Sequence, residues 1–356
     1  MRRASISVLA AVAGLSSLLA CGDATTAPPS GGDGGAIEAG APSAEVTVHA
    51  VFDLPRGADT EALSGAAFEP ATRTLYALRD NAPRIVPLIA SESFDAFTVG
   101  APIALTGHTA QTWDGEGLVL AGDAFIAVTS ETTPTVERFD RTGQRVDAVS
   151  IPARFASQAS NNKGLESLAI TPSGRWLVTA NESALVSDGA PATPTKGTTV
   201  RILRRDTASG VDEEYAYRTD PRAPGGGGDM GVSEIAAVTD DVLLVLERGY
   251  QSGFGNTVKI YEVDLSGGSA ARVEDVPALS ETTPVLDKRL VVDVGALPPG
   301  SASHPATQPN PLLDNYEALA LGPAQPDGRR LVFLLSDDNA SRTQVARVLV
   351  LAVPGL

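Results

Sequence analysis

The stretch Leu165–Glu182, LESLAITPSGRWLVTANE, indicates the type of fold most clearly. It opens with a short apolar segment, passes through Pro172-Ser173-Gly174-Arg175, and continues with a second apolar segment that ends on an acid. Pro, Ser and Gly favour tight turns because they preset or permit the backbone angles that a turn requires. The pattern therefore predicts an antiparallel β-hairpin.

The same pattern recurs along the chain in four more segments, which are Leu63–Asp80, Gly115–Glu131, Ser233–Glu247 and Tyr316–Asp337. Further strand-like runs follow most of these units, and the periodicity of an amphipathic helix does not occur after the N-terminal leader. The units start at Ser64, Glu116, Glu166, Glu234 and Glu317, so the steps between them are 52, 50, 68 and 83 residues. A four-stranded propeller blade takes about 40–50 residues.

These spacings predict an all-β fold, a β-propeller with six blades, and five blades as the alternative. The sixth blade would be built around Lys288–Val294 within the last, longest step. Val46–Asp53 is a predicted strand without a unit of its own, so we expect it to complete the last blade and close the ring. A β-sandwich or a solenoid of hairpins remains open as a different arrangement of the same hairpins.

The N-terminus carries the features of an export signal. Arg2 and Arg3 precede an uncharged, mostly apolar stretch, so residues 1–20 are predicted to be a lipoprotein signal peptide. Leu18-Leu19-Ala20-Cys21 resembles the bacterial lipobox, and Cys21 is the only cysteine of the chain. The interpretation is a lipidated Cys21, a flexible tether over residues 21–43 and a folded domain over 44–356; a chance Cys after an ordinary signal is the alternative. The protein would then be exported and lipid-anchored to a bacterial membrane, on its periplasmic or extracellular face.

Composition excludes some partners. The formal net charge is −16, which disfavours nucleic acid and an anionic membrane surface as direct partners. We therefore expect contact with the membrane only through the lipid anchor. Apolar residues make up 43% of the chain, which is enough to build a core. We expect a monomer.

The repeat places acidic residues at two positions of each unit. The first position, at the start of the opening strand, holds Ser64 in the first unit and otherwise Glu116, Glu166, Glu234 and Glu317. The second position, at the end of the next strand, holds Asp80, Glu131, Glu182, Glu247 and Asp337. Because the two strands of a hairpin are antiparallel, both positions lie at the same end of it. We expect these carboxylates to converge on one mouth of the central channel.

Crowded carboxylates need compensation. Two full charges about 5 Å apart repel by about 3 kcal/mol at an effective dielectric near 20. They must bind protons, pair with cations or hold a metal, and an oxygen-rich cluster suits Ca²⁺. The nine acids named above are therefore predicted metal ligands, with no organic cofactor. The structural alternative is that each Glu accepts backbone N–H groups and locks neighbouring blades together.

Five other residues are candidates for a site. Arg79, Arg248 and Lys163 lie close in sequence to the acidic positions and could bind a phosphate. Trp113 precedes Asp114-Gly115-Glu116 and could line a pocket with them. His108 is the best placed of three histidines for a catalytic role. No G-x-S-x-G motif occurs, so an α/β-hydrolase mechanism has no support.

Several stretches resemble the phytase-like family, also called esterase-like activity of phytase. They are DGEGL (114–118), NKGLESLAITPSGRWLVTANE (162–182), GVSEIAAVTDDVLLVLERG (231–249), KIYEVDL (259–265) and NYEALALGPAQPDGRRLVFLLSDDN (315–339), followed by Thr343-Gln344. Leu63–Asp80 is similar to the opening unit of the family, although Arg79-Asp80-Asn81 departs from the usual ending. The resemblance covers roughly residues 50–353 and implies a secreted or lipid-anchored propeller that hydrolyses phosphate or carboxyl esters.

The function predicted from these observations is a metal-dependent phosphoester hydrolase acting on a small ester or phosphate-bearing molecule at the channel mouth. Glu166, Glu234 and Glu116, with His108, are the predicted catalytic residues. Arg79, Arg248, Lys163 and Trp113 are the predicted substrate-binding residues. Two alternatives remain open at this point: a non-enzymatic cell-surface propeller that binds a ligand or protein, and a metal-dependent lactonase or carboxylesterase.

Overall fold

The computed structural model describes residues 45–57, 59–130, 133–160 and 163–356. These residues form 21 β-strands, one short α-helix (α1, Ala153–Ser157) and two 3₁₀ turns, Ser269–Ala271 and Val294–Ala296. The predicted signal peptide, Cys21, the predicted tether and Glu131 lie outside the described residues. The strands make five antiparallel sheets arranged as the blades of a propeller.

The first three blades follow the chain from the innermost strand outward. The first contains β2 (Leu63–Glu69), β3 (Thr74–Arg79), β4 (Arg84–Ala90), β5 (Phe97–Val99) and β6 (Ile103–Ala104), of which the last two both pair with β4. The second contains β7 (Leu118–Ala121), β8 (Ala124–Ser130), β9 (Thr135–Asp140) and β10 (Arg145–Val149). The third contains β11 (Ala169–Ile170), β12 (Trp176–Ala180), β13 (Thr199–Asp206) and β14 (Asp212–Arg218).

The last two blades complete the ring. The fourth contains β15 (Gly231–Ala237), β16 (Val242–Gln251), β17 (Gly255–Asp264) and β18 (Lys288–Asp293). The fifth contains β19 (Tyr316–Ala324), β20 (Arg329–Ser336) and β21 (Arg347–Pro354), with β1 (Thr47–Asp53) as its outermost strand. β1 pairs antiparallel with β21, from Thr47 opposite Ala352 to Asp53 opposite Arg347. The predicted closure by the N-terminal strand is thus confirmed.

The prediction of six blades is wrong. The last step of the repeat contains the fourth blade, and its additional length forms loops. Lys288–Asp293 does form a strand, but it is the outer strand β18 of the fourth blade. The preceding segment packs on the third blade, where Val273 N–H donates to Glu214 O over 2.7 Å and Leu286 N–H to Ala216 O over 2.8 Å. Spacing alone could not distinguish such a covering loop from a blade.

The core lies between neighbouring blades. Leu75 and Val86 of the first blade pack with Phe333 and Val350 of the fifth. Apolar side chains of the third and fourth blades form a second cluster in the same way. Burial of alternate residues on both faces of each blade explains why the strands read as nearly continuous apolar runs.

The five innermost strands β2, β7, β11, β15 and β19 each pack against the next around the axis. Two of the contacts bring backbone against backbone. A Cβ on Gly65 would lie 2.1 Å from Glu116 O, and one on Gly117 would lie 2.4 Å from Leu168 N. Glycine at these two positions lets the inner strands approach closely enough to form a narrow ring of five strands around the axis.

We expect Gly117→Ala to lower the free energy of unfolding by about 1–3 kcal/mol, because the added methyl group overpacks a rigid backbone contact. Denaturant unfolding followed by circular dichroism measures the loss. Gly267→Ala is the matched control, since a Cβ there would meet nothing within 4 Å. Equal unfolding midpoints for the two variants would contradict the close packing of the inner ring.

Candidate functional site

A cavity of about 580 Å³ opens where the inner strands begin and the second strands end. Its walls hold seven carboxylates, Asp80, Asp114, Glu116, Glu166, Glu182, Glu317 and Asp337, and two cations, Lys163 and Arg248. Six of the nine carboxylates predicted as metal ligands line it, which are Asp80, Glu116, Glu166, Glu182, Glu317 and Asp337. A cavity of this size can enclose a small molecule.

The hairpin register explains this convergence. In the first blade Leu63 at the start of β2 is opposite Arg79 at the end of β3, so Asp80 follows directly at the cavity. In the fifth blade Tyr316 is opposite Ser336, which places Glu317 and Asp337 on neighbouring strands. The antiparallel pairing inferred from the sequence therefore brings the two acidic positions to the same end of these hairpins.

Asp80, Asp114 and Glu116 form the tightest carboxylate cluster. Each offers an oxygen that lies within 4.8 Å of those of the other two. Ser64 Oγ donates a hydrogen bond to Glu116 Oε2 over 2.7 Å. Burial, and then the negative charges of Asp114 and Glu317, raise the pKa of Asp80 to about 7. Three ionised carboxylates are therefore not stable together without a proton or a cation.

Two further acids of the fifth blade extend this cluster. Burial and the neighbouring Glu317 raise the pKa of Asp337 well above its ordinary value. Burial also raises the pKa of Glu317, although Arg248 and the Asn315 amide oppose this shift. Asn315 Nδ2 donates to Glu317 Oε1 over 2.8 Å. Burial and mutual repulsion therefore favour the protonated forms of these two acids.

The same cavity wall also holds two cations. Lys163 Nζ lies 2.6 Å from Glu182 Oε2 and 3.3 Å from Asp229 Oδ2. Arg248 Nη2 lies 3.0 Å from Glu317 Oε1 and 3.8 Å from Glu182 Oε1. Burial lowers the pKa of both cations, but the surrounding carboxylates outweigh burial and leave each pKa raised. Both groups therefore stay charged.

The structure places Glu234 and Glu247 away from this cavity. Glu234 is buried, and its Oε1 accepts hydrogen bonds from Leu168 N–H over 2.8 Å and Ile235 N–H over 2.9 Å. Glu234 thus ties the fourth blade to the third, as in the structural alternative. Glu247 lies between the same two blades and accepts from Lys288 Nζ over 2.6 Å and from the Tyr217 hydroxyl.

Arg79, Trp113 and His108 lie behind the cavity wall rather than among its lining residues. Trp113 Nε1 donates to Arg79 O over 2.9 Å, and the His108 ring meets the Trp113 ring edge-on at 5.1 Å. The Arg79 guanidinium donates to Asn81 Oδ1 over 2.8 Å. Arg79 nevertheless acts on the cavity, because its charge opposes the rise in the pKa of Asp80.

Several lining residues escaped the analysis of the sequence. Asp114 was noted only as a neighbour of Trp113, although it belongs to the acidic cluster. Tyr250 and Phe254 line the cavity from the β16–β17 hairpin, and Gln308 lines it from a loop before β19. Asp114 stands two residues before a repeated Glu, which was an available signal. No such signal pointed to Tyr250, Phe254 or Gln308, because these residues fall outside the repeat.

Fold and site together define a five-bladed β-propeller with an acidic cavity at one mouth of its channel. Residues 59–340 match the Phytase-like family, described as esterase-like activity of phytase. The chain belongs to this family, in agreement with the motifs of its five repeat units. Among proteins with curated descriptions, none matches the sequence significantly.

Solved structures show distant similarity. A periplasmic gluconolactonase of Pseudomonas aeruginosa is 15% identical, with 82% of this chain and 85% of that chain covered and a TM-score of 0.34. A luciferin-regenerating enzyme is 12% identical, with 86% and 95% covered and a TM-score of 0.35. A protein from Lactobacillus plantarum is 16% identical, with 82% and 72% covered and a TM-score of 0.36.

We expect Glu234→Gln to weaken the pH dependence of stability. Burial raises the pKa of Glu234 well above its ordinary value, so its stabilising contribution is present at low pH and lost as pH rises from about 4.5 through the raised value. The free energy of unfolding should therefore fall less with rising pH in the variant than in the wild type. The difference approaches about 1.4 kcal/mol per pH unit at most.

Denaturant unfolding between about pH 5 and 8 measures this difference. Glu92→Gln, an exposed change of the same kind, should follow the wild type. Parallel pH profiles for Glu234→Gln and the wild type would show that the buried carboxyl does not retain its proton.

Proposed function

We propose that this protein is a divalent-cation-dependent hydrolase of small esters, with phosphate monoesters as its main substrates. The observation that supports this most strongly is the arrangement of a three-carboxylate cluster and the Lys163–Arg248 pair on the walls of one cavity. The first group can hold a cation, and the second can bind an anion. Membership of the Phytase-like family is in agreement with ester hydrolysis.

The residues present fit a hard cation such as Ca²⁺. Asp80, Asp114 and Glu116 offer three oxygens in one cluster, and burial together with the charges of Asp114 and Glu317 raises the pKa of Asp80 to about 7. Asn315 and Asn339 add neutral oxygens to the same cavity. A cation bound there would neutralise this charge and polarise an ester oxygen.

Lys163 and Arg248 would bind the phosphate oxygens. Both side chains are held by carboxylates at 2.6–3.0 Å, so their charged ends are oriented before a ligand arrives. Arg presents a planar group that suits two oxygens of a phosphate, whereas Lys acts as a point charge. In a protein with a net charge of −16, these two cations and the metal would overcome the general repulsion of a polyanion.

The carboxylates would also move the protons. In direct hydrolysis the oxygen of water bonds to phosphorus, a base removes the proton of that water, and the leaving alcohol oxygen receives a proton. Glu166 lines the cavity and is the proposed base. Asp337 is the proposed acid, because burial raises its pKa well above the ordinary value and so favours the protonated form that can donate.

A second candidate is the hydrolysis of carboxyl esters or lactones in the same cavity. It is favoured by the description of the family as esterase-like. The same cluster would hold the cation, and the polarised oxygen would be a carbonyl oxygen. Activity on lactones or carboxyl esters without activity on phosphate esters would favour this alternative, and binding without turnover would favour a non-enzymatic role.

We expect phosphate release from phytate and from nitrophenyl phosphate that requires Ca²⁺ and is abolished by a chelator. Asp114→Asn should lower this activity at least about tenfold, because removal of one charged ligand weakens cation binding. A colorimetric phosphate assay at several Ca²⁺ concentrations measures the effect. Asp123→Asn, an exposed change of the same charge, is the control.

Thermal melting gives a readout that does not depend on turnover. A saturating cation should raise the melting temperature of the wild type by several degrees, since binding at about 100 times Kd stabilises a protein by about 2.7 kcal/mol. The shift should be smaller in Asp114→Asn. Absence of both cation-dependent turnover and a cation-dependent shift would remove the proposal.

We further propose that the protein is exported and anchored by lipid on Cys21. The leader and its lipobox-like Leu18-Leu19-Ala20-Cys21 support this. Within the residues that the structure describes, no helix is long and apolar enough to cross a membrane. The polypeptide segment 22–43, rich in Gly, Ala, Ser and Pro, would serve as the tether.

We expect the wild type in the membrane fraction of an expressing bacterium and Cys21→Ser in the fraction without membranes, because the acyl chains alone hold the protein. Cell fractionation with immunoblotting, and mass spectrometry of the N-terminal peptide, measure this. A wild type that carries no acyl chain on Cys21 would contradict the anchor.

A further inference from the structure

The β16–β17 hairpin reaches further than the rest of its blade. Its two strands are ten residues long each, the longest among the described residues. The inner strand β15 begins at Gly231, opposite Arg248, so the hairpin beyond Arg248 continues past the start of β15. This extended tip forms part of the cavity wall, together with the loop that contains Gln308.

The tip exposes two aromatic rings beside the charged cavity. Tyr250 is 50% exposed and Phe254 is 43% exposed, and both line the cavity. They are the two aromatic residues among the exposed large hydrophobic residues of the described chain. Single exposed apolar residues are ordinary on a protein surface, but two aromatic rings on the wall of one polar cavity indicate a contact surface for a ligand.

Backbone hydrogen bonds hold this surface in place relative to the cations. Tyr250 N–H donates to Asp229 Oδ1 over 3.0 Å, and Asp229 N–H donates to Tyr250 O over 2.9 Å. The other oxygen of Asp229 pairs with Lys163 Nζ at 3.3 Å. At the tip, Phe254 N–H donates to Gln251 O over 2.9 Å. The backbone of Tyr250 is thus held by the same carboxylate that pairs with Lys163.

We propose that the substrate carries a flat apolar ring, such as an aryl group, which contacts Tyr250 and Phe254 while its anionic group reaches Lys163 and Arg248. This inference rests on the proposed function and names the substrate class of the same site. Aromatic side chains prefer stacked or edge-on contact with another ring, which adds to the gain from removing apolar surface from water. A densely charged ring gains less from such a contact, so an ester with one anionic group and one aryl group is expected to bind more tightly than phytate.

The test compares ligands that differ only in the ring. Isothermal titration calorimetry of the full chain with Ca²⁺ would measure the affinity for two pairs of ligands. Phenylphosphonate is compared with methylphosphonate, and phenylacetate with acetate, at a pH where the two members of each pair are equally ionised. The wild type should bind the aryl member of at least one pair about fivefold more tightly. This ratio should fall to about one in the double variant Tyr250→Ala, Phe254→Ala, because both ring contacts are removed.

Two control variants separate ring contact from other effects. Tyr250→Phe keeps the ring and should keep the aryl preference. Ile89→Ala truncates a side chain that is 43% exposed and not part of the cavity, so it should also keep the preference. The altered side chains are exposed, so unchanged circular dichroism and melting are expected for all variants.

Equal affinity for the aryl and alkyl members of both pairs would overturn the inference, as would an aryl preference that survives in the double variant, or no binding of any of the four probes. Hydrolysis is measured separately. An aryl preference that depends on both rings, without turnover of any ester, would support the ring contact and remove the hydrolase.

Discussion

The close packing of the five inner strands is the constraint on which the rest of the structure depends. At Gly65 and Gly117 backbone meets backbone, with no room for a side chain between neighbouring blades. A ring this narrow leaves little space at its mouth. Every residue at the start of an inner strand is therefore brought near its counterparts, and acidic residues at those positions must share one small volume.

The protein resolves this crowding in different ways around the ring. Glu234 is withdrawn into the blade interface, where backbone N–H groups of Leu168 and Ile235 bind it. Glu182 and Glu317 pair with Lys163 and Arg248. Asp80, Asp114 and Glu116 lie together, and burial and then the charges of Asp114 and Glu317 raise the pKa of Asp80 to about 7. Carboxylates and cations thus share the wall of one cavity.

The prediction of the fold succeeded where a local pattern was sufficient. The hairpins, the propeller and the closure by Thr47–Asp53 all follow from apolar runs, turn residues and an unpaired strand. The number of blades did not follow from such patterns. Lys288–Asp293 has the composition of a strand, and that composition does not show which blade the strand joins. Position within the repeat likewise predicted that several acids lie near the channel mouth. It could not distinguish Glu166, which lines the cavity, from Glu234, which is buried and does not.

The amino-acid sequence alone was sufficient to predict a ring of β-hairpins with acids at both positions of every repeat except the first, where Ser64 stands, since turn chemistry and apolar alternation act between residues close in the chain. It also determined the family, through five ordered motifs. Only the tertiary structure decided which acids face one another, which cations accompany them, and that Tyr250 and Phe254 border the same cavity. Those contacts join residues from different blades, and burial and charge between them depend on distances that no local pattern sets.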